Sequence, residues 1–408
     1  MIKTTKGMRL HIGIFGKRNA GKSSLLNALV RQNVSIVSEI KGTTTDPVEK
    51  PMELQPIGPV LFIDTAGIDD SGKLGVQRII KTDQVLDRTD IAIIVLDSSW
   101  GVFESDLYQR CSKRNIATIV VASKIDICPL DLKLQKFCED KNLIYISTSV
   151  ATGAGISKLR DAIINKAPEE FINSPGIVND LMPAGELAIL VVPIDLEAPK
   201  GRLILPQVQT IRDILDNDSY CMIVKERELS DALGRLNKPP ALVVTDSQSF
   251  LKVAADTPEF IYMTSFSILF ARLKGDLNEF VKGLQAIDKL KSGDKILIAE
   301  SCAHHPTGED IGRVKIPRWL RQYTGAKLVF ETIQGHDFPD NLADYSLVIQ
   351  CGSCMWNRRE ILTRIMRCKD VGVPITNYGL TIAYSLGICE RALRPFPSTL
   401  DILQEYST

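Results

Sequence analysis

Short apolar runs of four to six residues, each separated by a stretch of helical periodicity, dominate the first 166 residues of the chain. The strand-like runs are 10–15, 60–63, 91–96, 118–122 and 143–146, and helical stretches follow most of them, the last over 156–164. A strand covered on both faces has no polar side to show, so near-continuous apolar strands alternating with helices predict βαβ units and a doubly wound parallel sheet. Residues 168–186 hold three prolines and two glycines and read as a linker.

A second alternating block follows, with strands expected at 187–192, 221–224 and 241–245 and helices at 208–215, 226–236 and 247–255. Three short strands make a small sheet with open edges, and an open edge is a pairing hazard or a dimer interface. The third block opens with an amphipathic stretch over 265–290. Strands at 295–299, 327–331 and 345–349 come next, with helices at 317–323 and 358–367. Pro317 suits a first helical turn. The fold class expected is α/β with three domains, over 1–170, 171–262 and 263–408, the first a doubly wound sheet. No internal repeat or low-complexity tract interrupts this order.

Composition narrows the classes. Of 408 residues, 44% are hydrophobic and 24% charged, ordinary for a soluble globular chain. Lys plus Arg, 49, equals Asp plus Glu, 49, so the chain lacks the global basic footprint of a nucleic-acid binder. No apolar run approaches the roughly 20 residues that span a bilayer. The basic segment 1–9 precedes only a short apolar stretch and does not read as a signal peptide. Nine cysteines without an export signal predict reduced thiols and a cytoplasmic chain. Arg358, Arg359, Arg364 and Arg367 share one expected helix. They are either a dock for an acidic partner or a solvated face, and the solvated face is the expectation.

Gly16-Lys17-Arg18-Asn19-Ala20-Gly21-Lys22-Ser23 is a complete G-x-x-x-x-G-K-S loop between a strand and a helix. Its backbone N–H groups, from Gly16 through Ser24, face phosphates. Lys22 neutralises their charge, and Ser23 binds Mg2+. Asp64-Thr65-Ala66-Gly67 follows a later strand. Asp64 can hold the magnesium shell, and the Gly67 amide can sense a γ-phosphate. Thr44, in Gly42-Thr43-Thr44-Thr45-Asp46, is the second expected magnesium ligand. In Ser123-Lys124-Ile125-Asp126, the Asp126 carboxylate can accept both N1–H and N2–H of guanine, a donor pair that adenine lacks. Ser149, Val150 and Ala151 occupy the last guanine-contacting loop. In this order the motifs resemble the translation-factor-related branch of small GTPases, which implies GTP/GDP and Mg2+ as ligands.

Two positions depart from that branch. Ser123 replaces the usual Asn that ties this loop to the phosphate loop, and is expected to loosen nucleotide binding. Ile68 replaces the Gln that orients the attacking water. Asn19 resembles the asparagine that holds K+ in cation-activated members. It equally fits a tight turn.

Cys302 and the pair Cys351-x-x-Cys354 each fall just past the end of an expected strand. Ligands bind at that edge of open α/β sheets. Three thiolates leave one position open on a metal centre, where a structural zinc site would be closed by four. An iron–sulfur cluster normally takes four cysteines, so three imply a replaceable fourth ligand. Thiolate softness suits zinc and iron–sulfur alike. Of the four histidines, His304, His305 and His336 lie in this block. Cys111, Cys128, Cys138, Cys221, Cys368 and Cys389 are scattered and read as ordinary core or surface residues.

Cys302-Ala303-His304, the spacer after it, and Gln350-Cys351-Gly352-Ser353-Cys354 resemble the HydF family, the GTPases among the maturation factors of FeFe-hydrogenase. That family joins a G domain, a dimerisation domain and a cluster domain carrying Cys-x-His and His-Cys-x-x-Cys, which implies here a Ras-like P-loop GTPase domain over 1–170, a small α/β dimerisation domain over 171–262 and an α/β iron–sulfur cluster-binding domain over 263–408. The likeness extends over essentially the whole chain, including residues 193–202, Pro-Ile-Asp-Leu-Glu-Ala-Pro-Lys-Gly-Arg. Gln350 stands where many members have His, which leaves His304, Glu300 or Glu309 as candidates for the fourth iron ligand. The resemblance implies a homodimer that binds a 4Fe–4S cluster through Cys302, Cys351 and Cys354. It also implies a scaffold or carrier for the two-iron precursor, built with two radical-SAM maturases and passed to apo FeFe-hydrogenase. The competing expectation is a ribosome- or tRNA-directed GTPase with a zinc-stabilised C-terminal domain.

Overall fold

A computed structural model describes residues 6–31, 47–55, 57–65, 73–96, 100–127, 132–172, 176–193, 203–301 and 310–405. The chain forms two compact units, Met1–Ser174 and Pro175–Thr408.

The first unit is built on six strands: β1 (Leu10–Phe15), β2 (Val48–Leu54), β3 (Gly58–Asp64), β4 (Ile91–Leu96), β5 (Ala117–Ala122) and β6 (Ile144–Ser147). Their order is β2-β3-β1-β4-β5-β6. β2 runs antiparallel to β3, and every other pair is parallel. β1 and β4 are buried at every position, which is why they read as unbroken apolar runs. β2 was invisible to that pattern. It is an edge strand with exposed positions, and it tolerates Pro51 because an edge N–H need not serve the ladder. Helices cover both faces. Leu25, Leu26, Leu159 and Ile163 pack on one side, and Leu86 and Leu107 pack beside Phe15 and Ile63 on the other. The parallel direction of β1, β3, β5 and β6 brings the loops after them to one edge.

The second unit carries two all-parallel sheets. β7 (Leu187–Val191), β8 (Tyr220–Val224), β9 (Leu242–Thr245) and β10 (Tyr262–Ser265) lie in the order β10-β9-β7-β8. β11 (Lys295–Glu300), β12 (Val329–Gln334), β13 (Leu347–Gln350) and β14 (Ile375–Asn377) lie in the order β12-β11-β13-β14. One cluster of buried side chains, from Ile177 to Leu403, serves both sheets. β10 and β14 were not anticipated, because runs of three or four residues carry too few positions for a period. The expected 262/263 boundary falls at the head of β10. The stretch 265–290 is divided at Gly275 into helices Phe266–Lys274 and Leu277–Leu284. Asp276 caps the second by accepting from the Glu279 N–H.

Two expectations are corrected here. The segment read as linker is docked from 176 onward. Ile177, Val178 and Met182 are buried, and the N–H groups of Ile177, Val178 and Asn179 converge on Asp213 Oδ2 at 2.9, 2.7 and 3.2 Å. The arginines of the helix Arg358–Asp370 are not a solvated face. Arg364 is 2% exposed, with its guanidinium 4.1 Å from the Trp356 ring centroid and 4.6 Å from that of Phe338. Arg358 donates to the carbonyls of Arg272 and Leu273, and Arg367 to those of Phe338 and Pro339. A planar guanidinium can be stacked and hydrogen-bonded at once, which charge counting along a helix does not reveal. Among the described residues no helix is long and apolar enough to cross a membrane.

Candidate functional site: a nucleotide edge and a cysteine cavity

β1 ends at Phe15, and the chain turns through Gly16 at φ +153°, where a Cβ would lie 2.2 Å from the Val95 carbonyl oxygen. Only glycine fits there. Asn19 at φ +62° and Gly21 at φ +94° complete the loop before the helix Lys22–Arg31, so Asn19 is a turn residue in this conformation. Lys22 Nζ donates back to the carbonyls of Gly16 (2.9 Å) and Lys17 (2.7 Å), spanning the loop where phosphate charge belongs. Ser23 Oγ donates to Asp64 Oδ2 at 2.6 Å. Asp64 Oδ1 is buried without a hydrogen-bond partner. Burial raises the Asp64 carboxyl above its usual range against the opposing pull of the Ser23 hydrogen bond and the Lys22 charge. An orphaned carboxylate oxygen beside a serine hydroxyl is a hard oxygen set that suits Mg2+.

Ser123 keeps a tie to the phosphate loop of the kind expected of the Asn it replaces. Ser123 Oγ donates to the Ala20 carbonyl at 2.5 Å, and Lys124 Nζ donates to the Asn19 carbonyl at 2.5 Å. The loop after β5 is thus fastened to the phosphate loop by a shorter side chain. Asp126 follows, exposed at the same edge. Ser149 is buried. Its N–H donates to the Ala154 carbonyl at 3.0 Å and its Oγ accepts from Thr152 N–H at 3.2 Å, leaving Val150 and Ala151 exposed. Thr44, Gly67 and Ile68 lie outside the described residues. One contact escaped sequence reasoning. Glu104, almost fully buried, accepts from Lys17 of the phosphate loop at 3.0 Å and from the Gly101 N–H at 2.9 Å. The signal was the spacing of a helix cap, a Glu at the third position after Gly101.

The cysteine site follows from strand register. β11 and β13 pair with Ala299 opposite Gln350, so Ser301 and Cys351 leave the sheet side by side. Ser301 N–H reaches Cys351 Sγ at 3.1 Å and Ser301 Oγ at 3.0 Å. Cys351 and Cys354 line one cavity of about 270 Å³, whose wall also includes Ile204, Phe266, Glu300 and Tyr378. Glu300 accepts from Tyr378 OH at 3.3 Å, Gln334 Nε2 at 3.1 Å and Arg313 at 3.4 Å. Gly312, in the single π-helical turn Ile311–Lys315, makes room for that pair. A Cβ there would lie 2.1 Å from the Tyr378 hydroxyl and 2.8 Å from Glu300 Oε1. Burial, then the neighbouring Cys351 and Glu300, hold the Tyr378 hydroxyl well above its usual range, so it remains a neutral donor.

Four of the remaining described thiols are too buried to serve as ligands. Burial pushes Cys368 and Cys389 up to about 12 and Cys138 to about 11, and Cys111 is fully buried. His336 stacks on Trp356 at 5.3 Å and its Nδ1 lies 2.7 Å from Glu360 Oε1, engaged away from the cavity lining. Gln350 is buried and hydrogen-bonded on both ends of its amide. Cys302, His304, His305, Glu309 and Cys128 lie outside the described residues. Among the described residues no three His, Cys, Asp or Glu side chains gather as a metal cage. Two thiols sharing one cavity wall still form a soft donor set that suits zinc or an iron–sulfur cluster.

Family models match three segments of the chain. Residues 177–275 match the hydrogen maturase F dimerization domain, and residues 278–395 the hydrogen maturase F tetramerization domain. The chain belongs to the hydrogen maturase F family. Residues 11–124 match the 50S ribosome-binding GTPase model, so this member of the family joins a GTPase domain to two oligomerisation domains. GTPase Der of Campylobacter hominis is 39% identical over 166 residues, 38% of this chain and 36% of that protein. GTPase Der of Wolinella succinogenes is 36% identical over 173 residues, 40% of this chain and 36% of that protein. The chain thus spans little more than a third of the length of these relatives. The crystal structure of a variant of Aquifex aeolicus Era bound to GDP and AlF4- is 24% identical, covers 57% of this chain and 69% of that one, and overlaps with a TM-score of 0.33.

Proposed function

We propose that the chain is a GTP-hydrolysing maturation factor whose C-terminal cavity carries an iron–sulfur cluster for assembly and delivery of the two-iron precursor of FeFe-hydrogenase. The observation that carries this reading is the pairing of Cys351 and Cys354 on one cavity wall, with Ser301, the residue before Cys302, bonded to the Cys351 sulfur. Cys302 is the third thiolate. Glu300 is favoured as the exchangeable fourth ligand because its carboxylate already lines the cavity. A cluster with three firm ligands supplies one iron on which a second group can dock. The partners are radical-SAM maturases and apo-hydrogenase.

In the first unit, Lys22 and the backbone N–H groups from Gly16 to Ser24 hold the phosphates. Ser23, Thr44 and Asp64 serve Mg2+, Gly67 senses the γ-phosphate, and Asp126 reads guanine with Lys124, Ser149, Val150 and Ala151 around the base. With Ile68 unable to orient water, Asn19 holds a K+ ion that assists hydrolysis. Pairing of two copies runs through the β8 edge. Tyr220 is 65% and Ile223 46% exposed there, whereas the opposite edge, β10, is packed against by the helix Cys389–Leu393. The domain limits are 1–170, 171–262 and 263–408.

The test is metal analysis of anaerobically reconstituted protein. About four irons and four sulfides per chain, with an EPR signal on reduction, are expected. Cys302→Ser, Cys351→Ser or Cys354→Ser should each lose most of that iron, and Cys368→Ser should not. Stoichiometric zinc without an EPR signal would instead favour a ribosome-directed GTPase, the reading that the 50S ribosome-binding GTPase match over 11–124 supports.

A further inference from the structure

Cys351 sits among hydrogen-bond donors that no motif specifies. Its sulfur faces Ser301 N–H at 3.1 Å, Ser301 Oγ at 3.0 Å and Gln350 Nε2 at 3.6 Å. The Gln350 amide is held in one orientation. Its Oε1 accepts from Arg364 Nη1 at 3.0 Å, and its Nε2 donates to the Ala299 carbonyl and to Ser353 Oγ, each at 3.1 Å. Arg364 is itself fixed between Trp356 and Phe338 and donates to the Gly335 carbonyl at 2.8 Å. The buried guanidinium thus fixes which end of the amide faces the sulfur. Ser301, Gln350 and Ser353 are all buried, so water does not compete for these contacts.

We propose that Ser301 is a positioning residue whose N–H and hydroxyl donate to the Cys351 thiolate and raise the reduction potential of the cluster bound there, with the positive NH2 end of the Gln350 amide, oriented by Arg364, facing the same sulfur. A metal-bound thiolate has no proton and only accepts. Reduction adds negative charge to the cluster and its sulfurs, so each N–H or O–H aimed at a sulfur favours the reduced state. Gln350 therefore acts beside the metal through its amide dipole, in the place where many members of the family carry His. The inference rests on the reading that Cys351 ligates a cluster.

The test is a potentiometric EPR titration of the full-length chain, reconstituted anaerobically with iron and sulfide, as wild type, Ser301→Ala and Ser267→Ala. Ser267 lines the same cavity, but its hydroxyl bonds Asn377 and Gly379. At equal iron content, Ser301→Ala should be about tenfold harder to reduce, the scale of one hydrogen bond to a charged group, which is ~59 mV for one electron. Ser267→Ala should match wild type. Equal potentials in wild type and Ser301→Ala, or an equal shift in Ser267→Ala, would overturn the inference and leave the cluster reading standing. A wild-type protein that binds no iron would overturn both. Should Ser301→Ala fail to fold or to load, Gln350→Met, which keeps the length and removes the amide dipole facing the sulfur, is read by the same criteria.

Discussion

Replacing Ser123 by Ala tests whether the serine does the work of the asparagine it displaces. The hydroxyl donates to the Ala20 carbonyl at 2.5 Å, and both residues are buried, so water cannot take the donor's place. Leaving a buried carbonyl short of a donor costs about 1–3 kcal/mol. The bond joins two segments of the folded chain, so this cost falls first on the stability of the first unit. The share that reaches affinity is the cost of ordering a loosened phosphate loop when nucleotide binds. About 1 kcal/mol of that kind is roughly a fivefold weaker Kd. Fluorescence titration with a labelled GDP in Mg2+, beside a thermal melt of the same samples, reads both shares. Ser123→Asn should bind at least as tightly as wild type, because the longer side chain can make the same tie. An unchanged Kd and an unchanged melt in Ser123→Ala would refute the argument that this hydrogen bond fastens the two loops.

Asp126→Asn should weaken GTP binding and favour xanthosine triphosphate, whose 2-oxo group accepts from the new amide; unchanged GTP affinity would remove Asp126 from the base site. Exchanging Na+ for K+ should speed GTP hydrolysis in wild type and not in Asn19→Ala, and a rate indifferent to K+ would leave Asn19 as a turn residue only. Ile223→Asp on the β8 edge should give a smaller species by light scattering, and an unaltered assembly would move the interface elsewhere. Burial lowers the His11 pKa from 6.5 to about 4. The unfolded chain therefore takes up a proton below about pH 6.5 that the fold refuses, and stability present above that pH is lost as pH falls toward 4, by up to about 3 kcal/mol. Melts of wild type and His11→Gln across that window check this, and equal slopes would contradict it.

The apolar runs and the order of five short motifs made the class of the first unit legible. Local physics governs those features. A buried parallel strand must be apolar on both faces, and a phosphate loop needs glycines where φ is positive. The strand ends also foretold that β11 and β13 would bring Ser301 and Cys351 out of the sheet together, because parallel strands deliver their C-terminal ends to one edge. Tertiary structure decided what depends on neighbours far along the chain. Ser123 was read as a loss because its partner, the Ala20 carbonyl, is visible only once β1 and β5 flank β4. The arginines of 358–367 were read as solvated because charge along a helix says nothing of Trp356 and Phe338 waiting to stack on Arg364. The prolines and glycines of 168–186 marked irregular backbone correctly, yet burial of Ile177 and Val178 is set by Asp213, more than thirty residues away. The donors on the Cys351 sulfur come from residues whose types were in plain view. Only the register of β11 against β13 turns Ser301 and Gln350 toward it, because hydrogen bonds across a sheet are chosen by pairing and not by sequence distance.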